Sequence, residues 1–163
     1  MMLIISYASC SSSSSSCGNK YYHRSASHHA SHGGGSCIRS DAMVRLQDRF
    51  ELVENVKKGE LVFTEDHDFA LLNKTCCHHG NFTLWKMPGY DESITTPNHP
   101  IKIGGEWFAG NPKGALDDFG MNVKFSGTLS NDTVETVCSL ETINEKPVAI
   151  VVFFNGEIFM VAD

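Results

Sequence analysis

One dipeptide constrains this fold more than any other feature of the chain. Asn155-Gly156 stands between two apolar runs, Val151-Val152-Phe153-Phe154 and Ile158-Phe159-Met160-Val161. A tight two-residue hairpin turn needs positive φ at both central positions, which Asn and Gly tolerate, so the two runs are expected to pair as antiparallel strands. From Cys37 onward the chain repeats this grammar of short apolar runs and turn signals. The expected strands are Ala42 to Leu46, Phe50 to Val53, Leu61 to Thr64, Phe69 to Leu72, Phe82 to Met87 and Glu92 to Thr95. They continue with Ile101 to Ile103, Glu106 to Phe108, Val123 to Gly127, Thr133 to Leu140, and Val148 to Phe154 running into Glu157 to Val161. Lys58-Gly59, Pro88-Gly89, Gly104-Gly105 and Asn111-Pro112 separate them. That is the pattern of an all-β domain. The single helical stretch, around Gly114 to Phe119, is too short to shape the architecture.

The composition changes sharply at residue 36. Residues 8 to 36 are dominated by Ser, His and Gly and offer almost nothing to bury, so residues 1–36 read as a disordered linker. Residues 37–163 form the folded unit, and 41% hydrophobic residues suffice for its core. A net charge of −6 without any run of Lys or Arg gives no footprint for nucleic acid or an acidic membrane. No apolar stretch approaches a membrane span, and Leu3-Ile4-Ile5 is short for a signal sequence. The six cysteines are sparse for a disulfide scaffold, so reduced thiols and an intracellular location are favoured over secretion.

Two short motifs carry the chemistry. Gly33-Gly34-Gly35-Ser36-Cys37 places a thiol just behind a flexible, unhindered peptide bond. Thr95-Thr96-Pro97-Asn98-His99-Pro100 offers a hydroxyl and an imidazole three residues apart. A thiol attacking the preceding carbonyl yields a thioester and expels the amide nitrogen, which leaves only when protonated. The thiol itself, with a pKa of about 8.5, must lose its proton, and the oxyanion must be held. A histidine, with an ordinary pKa of about 6.5, suits the proton transfers. These groups point to a chain that cuts its own backbone at Ser36-Cys37, once per molecule, with its own upstream segment as substrate.

The residues also carry a resemblance. Cys37-Ile38-Arg39-Ser40-Asp41-Ala42-Met43-Val44, followed by Leu52-Val53-Glu54-Asn55-Val56-Lys57-Lys58-Gly59-Glu60-Leu61-Val62, resembles the opening of the Hint (hedgehog/intein) family. Thr96-Pro97-Asn98-His99-Pro100-Ile101 looks like that family's T-x-x-H block, continued by Gly104-Gly105-Glu106-Trp107. Val137-Cys138-Ser139-Leu140 and Val152-Phe153-Phe154-Asn155-Gly156 look like its later strands. The nearest likeness is to the Hint module found behind von Willebrand factor A domains. The resemblance implies an all-β, pseudo-symmetric horseshoe of long bent hairpins. It implies that Cys37 is the nucleophile of an N-to-S acyl shift on Ser36. His99 would protonate the leaving nitrogen, and Thr96 would hydrogen-bond at the junction and orient the imidazole. Water or a small thiol would resolve the thioester. No cofactor and no metal are implied.

The departures from the family pattern are specific. The sequence ends Met160-Val161-Ala162-Asp163, without the His-Asn pair that lets inteins splice, and the module can run beyond Asp163. A downstream histidine that many members carry would fall near Ile150, Cys138 stands where Tyr is usual, and Ser139 replaces Asp or Asn. No sterol-recognition extension is present. The resemblance therefore implies cleavage without splicing, the alternative being an inactive Hint relic that serves as an interaction module.

Other residues invite weaker readings. Cys76-Cys77-His78-His79 suggests zinc, but adjacent ligands crowd one ion, so a surface turn is expected. His23, His28, His29 and His32 with Cys10 and Cys17 fit no closed metal site, although storage of a loosely bound metal is conceivable for such a tail. Asp66-His67-Asp68 reads as a solvated hairpin tip, and Trp85 and Trp107 as core aromatics.

Overall fold

The computed structural model describes residues 36–163, so the linker reading of residues 1–35 and its metal-storage variant lie outside the described residues. Asn155 (φ 48°) and Gly156 (φ 84°) make the tight turn expected of them. They join β10 (Ala149–Phe154) to β11 (Glu157–Ala162), paired from Ala149↔Ala162 to Phe154↔Glu157. This hairpin is central to a seven-stranded sheet. Beside β10 lie β2 (Met43–Arg45) and β3 (Phe50–Leu52); beside β11 lie β6 (Ile101–Ile103), β7 (Glu106–Ala109) and β8 (Lys124–Phe125). A four-stranded sheet has the order β1 (Ile38–Arg39), β9 (Thr128–Thr142), β5 (Phe69–Lys86) and β4 (Leu61–Phe63). The core between them includes Val44, Leu72, Trp85, Leu140, Ile150 and Phe159, all nearly inaccessible to solvent. The all-β expectation holds.

The long strands depart from the sequence reading in an instructive way. Phe69 to Leu72 and Phe82 to Met87 are not separate strands. They are the two ends of β5, which pairs with β9 nearly throughout and absorbs register shifts at Leu72/Lys74, His79/Phe82 and Thr83/Trp85. Cys76-Cys77-His78-His79, expected as a surface turn, is therefore mid-strand, with Cys76 and His78 buried. Polarity misled here: the residues paired with Cys77 and His78 are Cys138 and Val137, both fully buried, so this polar stretch lies against the interior. Gly80 and Asn81 sit at a bulge in β5. Among the described residues, no group of His, Cys, Asp and Glu is arranged to hold a metal ion.

Three further expectations need correction. Cys77 and Cys138 form a disulfide across directly opposed positions of β5 and β9, with Cα atoms 4.0 Å apart. Cys37 and Cys76 also stand in disulfides, and none of the described cysteines is a free thiol. Neither a sequence separation of 61 nor sparse spacing reveals a pairing that strand register creates. Cysteine usage therefore gives no support for an intracellular location. Glu92 to Thr95 is not a strand but a loop that touches its neighbours through isolated bridges from Thr95 to Ile38 and Trp85. Trp85 is a core residue, whereas Trp107 is only half-buried, with Lys102 Nζ 5.7 Å from its ring centroid.

The helix expected to be inconsequential is α1 (Pro112–Phe119), and its ends are well built. Asn111 caps it by accepting from the Gly114 amide at 3.2 Å, Pro112 opens it, and Gly120 ends it in the left-handed conformation. Gly114, Ala115 and Phe119 are its buried residues. A Cβ at Gly114 would overlap the Asn98 carboxamide, so only glycine lets the helix approach the 96–100 loop this closely. The hairpin tip at Asp66-His67-Asp68 is exposed, as expected.

Candidate active site

Thr96 grips the backbone of Cys37 from both sides. The Cys37 amide donates to Thr96 Oγ1 at 2.9 Å, and the Thr96 amide donates to the Cys37 carbonyl, also at 2.9 Å. The same hydroxyl lies 3.3 Å from that carbonyl and can donate to it. Both residues are fully buried, so these bonds form away from competing water. The nucleophile candidate is thus fixed at the mouth of β1, where Ile38 pairs with Cys138.

A tight turn carries His99 beside Thr96, its amide donating to the Thr96 carbonyl at 3.0 Å. The imidazole is 1% exposed. Its Nε2 lies 2.6 Å from the carbonyl oxygen of Ala162 at the end of β11. A carbonyl only accepts, so Nε2 carries the proton and the neutral ring presents a lone pair at Nδ1. Nδ1 has no hydrogen-bond partner among the described residues. Burial pushes the imidazole down to about 4, opposed by the Ala162 and Ser36 carbonyls and the Asp163 carboxylate, which favour the protonated ring. The Ser36 carbonyl belongs to the Ser36-Cys37 peptide bond, so His99 faces the bond that the sequence marks out. Phe119 of α1 closes over the ring edge-on, with centroids 5.0 Å apart.

The structure thus brings together Ser36, Cys37, Thr96 and His99, which the sequence leaves 59 positions apart at Cys37 and Thr96. It also adds residues the sequence reading passed over. The Ser36 hydroxyl donates to Asp118 Oδ2, and Asn98 Nδ2 donates to the same oxygen at 3.1 Å. A signal for Asp118 existed: Gly114, Ala115, Asp118 and Phe119 share one helix face, and a carboxylate on an otherwise apolar stripe needs a reason. Ala162 acts through its backbone, which no motif could show. At the position where a downstream histidine is usual, Ile150 is buried in the core and bridges to Thr64. Asp163 is tied down at the end of β11, accepting from the Val148 amide at 2.9 Å, the Thr142 amide at 3.3 Å and the Thr142 hydroxyl.

No protein-family model and no curated protein matches the sequence. The fold does resemble solved structures. The MchDnaB-1 intein superposes with a TM-score of 0.50 at 11% identity, covering 76% of this chain and 98% of that one. The gp41-1 intein gives 0.49 at 9% identity over 78% and 98%. A bacterial intein-like domain from Clostridium thermocellum gives 0.44 at 13% identity over 77% and 97%. The fold is the all-β Hint fold of inteins.

Proposed function

We propose that this domain cleaves its own backbone at Ser36-Cys37 by an N-to-S acyl shift and then resolves the thioester without splicing. The observation that carries this reading is the buried His99, held at Nε2 by Ala162 and facing the Ser36 carbonyl, beside a Cys37 amide fixed by Thr96.

The chemistry begins with reduction, because Cys37 is disulfide-bonded. A small thiolate attacks that disulfide, and a second thiol completes the exchange, leaving the Cys37 thiol, the thiol of the cysteine it was bonded to and an oxidised small-thiol pair. Sγ then attacks the Ser36 carbonyl carbon. Its proton passes to Nδ1 of His99 and on to the Cys37 nitrogen as the C–N bond breaks. The products are a Ser36 thioester on Sγ and a free amine at Cys37. A desolvated ring with a pKa of about 4 holds this proton weakly, which makes the imidazolium a strong acid towards the leaving nitrogen. Thr96 keeps the nitrogen in place while its bonding changes. Water, or a small thiol, takes the acyl group and releases the upstream segment.

The test is the intact mass, over time, of a reporter domain fused ahead of Gly33 in the full chain. With dithiothreitol a fragment beginning at Cys37 should accumulate, and Cys37→Ala should give none. Release that persists in Cys37→Ala would sink the mechanism. A mass that never changes under any reducing condition would leave the fold as a non-catalytic interaction module.

A further inference from the structure

Ser36 lies on the acyl side of the Ser36-Cys37 bond, and its side chain is held as well as its backbone. Its hydroxyl donates to Asp118 Oδ2, an oxygen that also accepts from Asn98 Nδ2 at 3.1 Å. Asn98 Oδ1 in turn accepts from Asn111 Nδ2 at 2.9 Å. Asn111 caps the helix that carries Asp118, so the network closes on itself. Gly114 provides the clearance that lets Asn98 reach in. Desolvation raises the Asp118 carboxyl from its ordinary value, and the Ser36 and Asn98 hydrogen bonds act against that rise. A carboxylate on the inner face of a short helix does nothing for packing, which Ala115 and Phe119 supply.

We infer that Asp118 is the specificity-determining residue for the position preceding Cys37, selecting a small hydroxyl-bearing residue there over an aliphatic or acidic one. This rests on the self-cleavage reading above. A hydroxyl at position 36 satisfies the carboxylate and fixes the acyl carbon relative to His99 and Cys37. An alanine or valine leaves that oxygen with Asn98 alone and frees the acyl group to wander. An aspartate sets two like charges against each other.

The experiment uses the same reporter fusion under dithiothreitol, with Ser, Thr, Ala, Val or Asp at position 36, in the parent chain and in Asp118→Asn. In the parent, Ser should cleave fastest and Thr within a few-fold. Ala and Val should be about tenfold slower and Asp about a hundredfold slower, the scale of losing or inverting a charge-assisted hydrogen bond. Asp118→Asn should bring the Asp variant to within about tenfold of Ser, a reordering that a merely structural role would not produce. The four substitutions at position 36 leave Asp118 itself in place, so the ranking reads out even if Asp118→Asn folds poorly. Equal rates for all five residues in the parent would overturn the inference while leaving self-cleavage standing, as would an unchanged ranking in a folded Asp118→Asn. Release from none of the five would reject the cleavage reading and this inference with it.

Discussion

Two histidines in this molecule look alike by burial and differ in what surrounds them. His99, in the junction loop, and His78, in the ribbon of β5 and β9, are each almost inaccessible to solvent. Burial is the main cause that pushes each down to about 4, and each has one ring nitrogen without a hydrogen-bond partner among the described residues. Around His99 stand two backbone carbonyls and the Asp163 carboxylate, all favouring a proton when one arrives. Beside His78 the charge influence is His79, which disfavours it further. The lesson is that a depressed pKa marks desolvation, while the groups placed around the ring decide whether its proton can be used.

The contrast can be broken most severely by removing each ring. His99→Ala should slow release of the upstream reporter by about a thousandfold, the scale of general acid–base catalysis, and His78→Ala by less than about twofold. Comparable losses from the two would mean that burial, not placement, matters. The ribbon should show the opposite balance. Replacing Cys77 and Cys138 together by serine removes a cross-link spanning 61 residues and should cost up to about 4 kcal/mol of stability in urea unfolding. Under full reduction, when that bond is open in both proteins, the pair of substitutions should leave the cleavage rate within about twofold of the parent.

Acid should sharpen the comparison further. His99 has a folded pKa near 4 and an ordinary unfolded one near 6.5, so between these values the unfolded chain binds the extra proton. Stability is therefore highest above pH 6.5 and falls as the pH drops towards 4, by about 2 to 3 kcal/mol from this residue. Urea titrations at pH 7 and 4.5 should show the drop, to which His78 adds one of similar size, and His99→Gln should remove about half of the total. A slope unchanged by His99→Gln would place the titrating group elsewhere. A smaller loss of rate than that of His99→Ala is expected of Thr96→Val, which keeps the shape but strands the buried Cys37 amide. Release should slow by about tenfold, and Thr96→Ser should restore most of it.

Much of the fold was legible wherever apolar spacing and turn chemistry agreed. Asn155-Gly156 announced its hairpin because only a few residues tolerate that backbone, and Thr96 and His99, singled out by their spacing, do lie beside Cys37 and Ser36. Legibility failed where meaning depends on a distant strand. Cys77 is an unremarkable thiol until register sets Cys138 opposite it. His78 reads as surface until β9 covers one side of its strand. Asp118 failed for a different cause: α1 was discounted for its length, although Asn111, Pro112 and Gly120 mark both its ends. Short elements are easy to dismiss by length and still position side chains.

Thr96 holds residue 37 by its amide and its carbonyl together, and Asp118 holds the residue before it. The two anchors therefore sit on the residues that flank the reacting bond, and a bulky cargo and a short peptide would pull on the same anchored link. The rate of release should follow the residue at position 36 and be indifferent to the mass that it frees.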